Sequence, residues 1–339
     1  MPVPPSVLKF HPYDQQIAVA GENTFSILDW GTGARNTTYH NKSLRSSKNK
    51  ITALEWINGH DISMLMIGVN DGSIKVFKPN IESGREPRLI TAWQAFNEMK
   101  IGNSDLLLSW EQWSQTVITA GDSRVLRLWD AEKETKAFDI VTGTDSPVTC
   151  INSCFANTSN EHYASFIATN RDDPPRESEH EYPCRGFVAA GFENGSVRLF
   201  DRRCPPADNR VKDWMEHSQP ILGLQLLDDN FVISASASGH VKLFDIRKNF
   251  SIDTQHIQEG ISCFSIHHKA AIYACGGESQ SLYIYNLQGR LINDIRFFDG
   301  FMAPRIGLIN CLNFHPHKVI LASGTADSLL SVHALESRR

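Results

Sequence analysis

One short phrase recurs through the chain, and its clearest copy is Phe187 to Arg203, FVAAGFENGSVRLFDRR. Val188 to Gly191 are small and apolar, as a buried strand would be. Asn194-Gly195 suggests the two positive-φ residues of a type I′ hairpin. Val197, Leu199 and Phe200 then alternate with Arg198 until the strand ends at Asp201. The phrase returns as MIGVNDGSIKVFK (Met66 to Lys78), VITAGDSRVLRLWD (Val117 to Asp130) and VISASASGHVKLFD (Val232 to Asp245). AIYACGGESQSLYIYN (Ala271 to Asn286), ILASGTADSLLSVHA (Ile320 to Ala334) and a weaker first copy, IAVAGENTFSILD (Ile17 to Asp29), bring the count to seven.

The residues that close the phrase are Leu28, Phe77, Trp129, Phe200, Phe244, Tyr285 and His333, separated by 49, 52, 71, 44, 41 and 48 residues. A period of about 40–50 with a Trp-Asp or Phe-Asp strand end marks four-stranded propeller blades. A short apolar strand precedes each hairpin (Val7 to Phe10, Ile51 to Trp56, Leu106 to Trp110, Val148 to Ile151, Ile221 to Leu226, Ile261 to Ile266, Ile309 to Phe314), and a more polar segment follows all but the last. The expected fold is all-β: one seven-bladed WD-repeat β-propeller over 1–339, four antiparallel strands per blade, with blades starting near 7, 51, 105, 147, 220, 260 and 309. One such sheet buries little alone, so each stacks on two neighbours and seven close a ring. Only Leu335 to Arg339 follow the last hairpin, too few for another strand, so the outer strand of the last blade is expected to be missing from this chain. A segment upstream of a longer protein is expected to complete it.

Composition narrows the function. A net charge of −5 and a pI near 6.2 lack the basic footprint of a nucleic-acid binder. No apolar run approaches the roughly 18 residues of a membrane helix, and MPVPPSVLKF lacks the charged and apolar regions of a secretory signal. The expectation is a cytoplasmic chain without direct membrane insertion. Seven cysteines are an odd count without disulfide-scaffold spacing. Cys150, Cys263 and Cys311 hold the same third place in their inner strands, where Ala53 and Gly223 stand in other repeats, so the position calls for a small buried side chain.

Chemical motifs are scarce. Gly31-Thr32-Gly33 lacks the third glycine and the helix of a dinucleotide fingerprint and falls where propeller blades place a turn. There is no GxxxxGK[ST] phosphate loop and no GxSxG elbow. His267-His268, His315-Pro316-His317 and His11-Pro12 recur at the turn after the first blade strand, which favours a structural role over metal binding. No catalytic residue, metal site, cofactor or small-molecule substrate is expected, and the inner strands are read as offering Cys, Ala, Gly, Leu and Val. Trp30, Trp93 and Trp113, near blade ends, are read as packing residues.

Two stretches stand outside the repeat. Asn157 to Arg185 interrupts blade four and reads as a flexible insertion over 157–185. FFDGFMAPR (Phe297 to Arg305) is unusually aromatic for a connector, and exposed aromatics with arginine are common anchors of protein contact. Phe301 and Arg305 are the candidate protein-binding residues.

The order of repeats resembles the C-terminal WD-repeat propeller of the Raptor (Kog) family. The resemblance rests on NDGSIKVFK, LLSWEQWSQTVITAGDSRVLRLWD, DIVTGTDSPVT, GFENGSVRLFDRR and above all LINDIRFFDGFMAPRIGLINCLNFHPH, and runs from about Val7 to Leu335 outside the insertion. The Gly-His dipeptide of many WD repeats is absent from its usual place. The resemblance implies a non-catalytic scaffold or adaptor of the target-of-rapamycin (TOR) kinase complex 1, with protein partners among the subunits of that complex and recruitment to the lysosomal or vacuolar surface. The alternatives are a generic WD-repeat interaction module, such as a ubiquitin-ligase substrate receptor, and a propeller enzyme.

Overall fold

The protein, seen here as a computed structural model, is all-β. The structure describes residues 3–41, 49–79, 86–97, 99, 105–153, 186–206, 208–228, 230–257, 260–267, 269–277, 280–296 and 306–334. Blade one holds β1 (Val7–Phe10), β2 (Gln16–Ala20), β3 (Thr24–Asp29) and β4 (Arg35–His40); blade two holds β5 (Ile51–Ile57), β6 (Met64–Val69), β7 (Ser73–Lys78) and β8 (Arg88–Gln94). Blade three has β9 (Leu107–Glu111), β10 (Thr116–Ala120), β11 (Val125–Asp130) and β12 (Thr135–Val141); blade four has β13 (Val148–Ser153), β14 (Phe187–Phe192), β15 (Val197–Asp201) and β16 (Arg210–Trp214). β17 (Ile221–Asp228), β18 (Phe231–Ser236), β19 (His240–Asp245) and β20 (Ser251–His256) make blade five. β21 (Cys263–Ile266), β22 (Ile272–Gly276), β23 (Leu282–Asn286) and β24 (Leu291–Ile295) make blade six. Blade seven has three strands among the described residues, β25 (Ile309–Phe314), β26 (Ile320–Thr325) and β27 (Leu330–Ala334). Every sheet is antiparallel and runs in chain order from inner to outer strand. The expected insertion over 157–185 lies outside the described residues.

The core lies between blades. Ala18, Phe25 and Ile27 of blade one pack with Leu54, Leu65 and Ile67 of blade two. Equivalent clusters follow at each junction, and the last joins Leu8, Phe10, Ile17 and Val19 to Cys311 and Ala322. Burying both faces of each sheet explains why the middle strands read as nearly continuous apolar runs.

The small third position of the inner strand has a steric cause. A Cβ on Gly191 of β14 would lie 2.6 Å from Cys150 Sγ, and one on Gly276 of β22 would lie 2.6 Å from Cys263 Sγ. Beside Cys150, Cys263 and Ala53 a hydroxyl braces the next blade: Thr149 donates to the Ile221 carbonyl (2.6 Å), Ser262 to the Ile309 carbonyl (3.0 Å) and Thr52 to the Leu106 carbonyl (2.8 Å).

The fifth position departs from the expected apolar inner strands. It holds Lys9, Glu55, Ser109, Asn152, Gln225, Ser265 and Asn313. Asn152 Oδ1 accepts the Leu226 N–H (2.9 Å), Ser265 Oγ the Phe314 N–H (3.1 Å) and Asn313 Oδ1 the Phe10 N–H (3.1 Å). Lys9 Nζ donates to Glu55 Oε1 at 2.7 Å. A polar belt thus satisfies amides of the adjacent inner strand that no ladder reaches.

The hairpin turn also differs from expectation. Gly195 has φ +82°, but Asn194 is not left-handed. Gly195 N–H donates to the Phe192 carbonyl (3.1 Å) and Phe192 N–H to the Ser196 carbonyl (3.0 Å), which makes a three-residue loop with glycine in the last place. The connector to the next blade passes directly above: a Cβ on Gly195 would lie 2.3 Å from the His217 carbonyl oxygen. Gly72 and Gly239 repeat the arrangement under Phe96 and Ile257. At the opposite ends of the strands, Asp29 Oδ1 accepts the N–H groups of Gly31 (2.8 Å) and Thr32 (2.9 Å), and Gly33 takes φ +71°. The Gly-Thr-Gly segment is therefore a turn held by the carboxylate, whose pKa those N–H bonds lower.

Candidate protein-interaction surface

The turn after each inner strand and the turn before each outer strand lie at the same end of a blade. Three of the former are built on a buried histidine. His11 Nδ1 accepts the N–H groups of Tyr13 (3.2 Å) and Asp14 (2.8 Å), His267 Nδ1 those of Lys269 (3.0 Å) and Ala270 (2.8 Å), and His315 Nδ1 those of His317 (3.0 Å) and Lys318 (3.1 Å). Both bonds need a neutral ring. Burial lowers the pKa of all three, and burial with nearby Lys318 and His317 takes His315 to about 4. A histidine that spends its acceptor on its own turn is poorly placed to bind a metal. Among the described residues no three His, Cys, Asp or Glu side chains come together as a metal site.

These rings hold up an exposed patch where blade seven meets blade one. Tyr13, 59% exposed, stacks on His317 with ring centroids 5.4 Å apart. Lys318 Nζ lies 5.1 Å over the Trp30 ring, and its carbonyl meets His267 Nε2 at 2.9 Å. Ile62 and Val319 are exposed apolar residues of the same end of the ring. A second feature joins blades three and four: Arg202 sits 5.3 Å over the exposed Trp113 ring and binds the buried Glu111 carboxylate at 2.6 Å. Aromatic rings and cations on rigid turns suit protein contact, because little side-chain freedom is lost on docking.

Trp30 and Trp93 are half-buried packing residues, as read from the sequence, but Trp113 faces solvent. Phe301 and Arg305 lie outside the described residues. The missing Gly-His dipeptide has a stand-in. His217, in the connector between β16 and β17, is buried and joins its Nε2 to Ser234 Oγ at 2.7 Å. Burial, with Lys242 and His240 nearby, holds its pKa near 4. A lone histidine four residues before a hydrophobic inner strand was the available signal. Tyr13 and His317 had none, since exposure of a turn residue is set by its neighbours in space.

The inner cysteines are inert by environment. Burial pushes the thiols of Cys150 and Cys263 up to about 12 and raises those of Cys275 and Cys311 as well, so the nucleophilic thiolate is suppressed. No described residue belongs to a helix long and apolar enough to cross a membrane.

No protein-family model matches the chain. The Raptor homolog of Dictyostelium discoideum is 31% identical over 346 residues, covering 99% of this chain and 21% of that protein. The target of rapamycin complex 1 subunit mip1 of Schizosaccharomyces pombe is 30% identical over 341 residues, covering 98% and 24%. The crystal structure of Chaetomium thermophilum Raptor superposes with a TM-score of 0.81 at 25% identity, covering 99% of this chain and 28% of that one. The chain therefore spans between a fifth and a quarter of the length of these two relatives. Matched along nearly its whole length in sequence and in fold, the chain is a homologue of these Raptor proteins and takes the form of a WD-repeat β-propeller.

Proposed function

We propose that this propeller is a non-catalytic scaffold: the adaptor surface of a Raptor-like subunit that supports assembly of TOR complex 1 and the recruitment of protein partners or substrates. The observation that carries the reading is the end-to-end similarity to a protein named as a subunit of that complex. The surface agrees with it, presenting aromatic and cationic side chains on turns braced by buried histidines rather than a nucleophile with its base. The partners are the protein subunits of the complex, and the working location is the cytoplasm, with the complex carrying the chain to the lysosomal or vacuolar surface.

Tagged chain incubated with cell extract and analysed by mass spectrometry tests this. Recovery of the TOR kinase, lost when Tyr13→Ala and His317→Ala are combined or when Phe301→Ala and Arg305→Ala are combined, is the expected result. Full recovery with all four residues changed would remove both patches from the docking surface. A cooperatively melting chain that recovers no subunit of the complex would refute an assembly role for this propeller alone.

A further inference from the structure

The buried histidines that hold the turns of blades one, six and seven each have one ring N–H left to give. Nδ1 accepts two backbone N–H groups in each of them, so the proton sits on Nε2. His11 places its Nε2 2.8 Å from Ser63 Oγ in blade two, and His267 donates to the Lys318 carbonyl of blade seven at 2.9 Å. His315, next around the ring, faces blade one, where its ring lies 5.4 Å from that of Phe10 and 6.3 Å from that of Trp30. The residue is 1% exposed, and its Nε2 is buried with no acceptor among the described residues. Trp30 Nε1 is buried in the same way, also without an acceptor. An indole N–H can only donate, so this junction holds two donors shut from water and unused. Buried donors are rarely left so.

What surrounds the two donors is cationic. Lys318 Nζ lies 5.1 Å over the Trp30 ring, and the His317 ring lies 6.3 Å from that of His315; both side chains are exposed. The charged or chargeable groups that act on His315 are Lys318, His317, His267 and His11, and those that act on His317 are Lys269 and His267. No carboxylate is among them. Asp14 stands 3.7 Å from His11 Nδ1, and Asp29 spends its carboxylate on the Gly31 and Thr32 N–H groups. Beside the cations, Tyr13 and Val319 offer exposed apolar surface. Two unused N–H donors and an ammonium suit an anionic acceptor, and the flanking apolar surface calls for one carried on a polypeptide.

We propose that the junction of blades seven and one receives an acidic side chain of a partner polypeptide. Its carboxylate accepts the Nε2–H of His315 and the Nε1–H of Trp30, while an apolar neighbour rests on Tyr13 and Val319. The exposed Lys318 and His317 side chains move aside to admit it, and the lysine then pairs with the anion. The turn beneath is held by His315, so little backbone freedom is lost when the peptide arrives. This names the chemistry that the adaptor surface selects, and so rests on the reading of the propeller as an adaptor.

Fluorescence anisotropy of a labelled peptide of alternating Asp and Leu, titrated with the 339-residue chain, tests it. The peptide should bind, and its counterpart with Asn in place of Asp should bind at least about fivefold more weakly. Lys318→Gln removes the ammonium and Trp30→Phe the indole N–H, and each should weaken binding by a similar factor. Lys212→Gln, on blade four, should leave it unchanged. In nitrogen-15-labelled protein the Trp30 indole N–H resonance should move downfield with the Asp peptide and stay in place with the Asn peptide. Equal binding of the two peptides overturns the proposal. So does an indole resonance that ignores the Asp peptide, which would leave the donors to a buried water or to the face of a neighbouring ring. Inorganic phosphate that shifts the same resonance and displaces the peptide would make this a site for small anions and overturn the peptide reading. Recovery of the TOR kinase from extract without peptide binding overturns this site and leaves the adaptor role standing; peptide binding without recovery does the reverse.

Discussion

Cys311 directs its thiol at the carbonyl of Pro5 across 3.5 Å, although the two residues are 306 positions apart in the chain. The contact repeats what Cys150 makes with Ile221 and Cys263 with Ile309. The junction that closes the ring is thus built like those formed between consecutive blades, and Gly324 sits under it. A Cβ there would lie 2.7 Å from both Cys311 Sγ and Pro5 Cγ.

Gly324→Ala should therefore destabilise the protein by about 1–3 kcal/mol, the usual cost of overpacking a filled core. Cys311→Ala removes one of the two clashing atoms, so the double variant should recover part of the loss. Denaturant unfolding of the two single variants and the double variant measures the coupling. Strict additivity would mean that the clash is relieved by backbone movement and not by the thiol.

The buried histidines set an acid limit. His217 and His315 titrate near 4 in the folded protein and near the ordinary histidine value of 6.5 when unfolded. Above pH 6.5 both states hold neutral rings and the stabilisation is fully present. As pH falls from 6.5 toward 4 the unfolded chain takes up protons first, and stability drops. Each ring accounts for a loss on the order of 3 kcal/mol by pH 4. His217→Asn should lower stability at pH 7 yet flatten the slope of unfolding free energy between pH 6.5 and 4. An unchanged slope would assign the acid limb to other groups.

Fold and period were legible because each repeat carries its own turn and apolar alternation, which depend on local sequence. The turn at Asn194-Gly195 was misread for the opposite reason. Its shape is shared with the connector that crosses 2.3 Å from the place a Gly195 Cβ would take, and that connector belongs to the next blade. The polar belt was visible in retrospect as one polar residue between two apolar ones in LKF, LEW, LSW, LQL, FSI and LNF, and as Asn152 between Ile151 and Ser153. Its purpose was hidden, because the amides it satisfies lie on neighbouring blades. The patch formed by Tyr13 and His317 joins turns about 300 residues apart, and nothing local announces it.

Asn313 tests that belt where the ring closes. Its Oδ1 accepts the Phe10 N–H at 3.1 Å from across the junction. Asn313→Leu keeps the volume and removes the acceptor, and an unsatisfied buried amide costs about 1–3 kcal/mol. Exchange of the Phe10 amide should quicken in the variant while that of Leu226, held by Asn152 on the far side of the ring, stays the same. Equal changes at both amides would show a general loosening and no local brace.

Glu111 and Arg202 form the most enclosed ion pair among the described residues, 2.6 Å apart with side chains 2% and 9% exposed. Ser114 Oγ donates to the same carboxylate oxygen at 2.9 Å, and the Arg202 guanidinium covers the Trp113 ring. Glu111→Ala would strand a buried cation, which typically costs about 3–5 kcal/mol. Burial shields the pair from screening, so the loss should change little between low and high salt. Adding Arg202→Met removes the stranded charge and should restore most of the stability, as apolar replacements of buried pairs commonly do. The Trp113 emission should shift in the single variant as its guanidinium cover moves. If the double variant is no more stable than Glu111→Ala alone, the pair's contribution lies in orienting the turns of blades three and four and not in compensating charge.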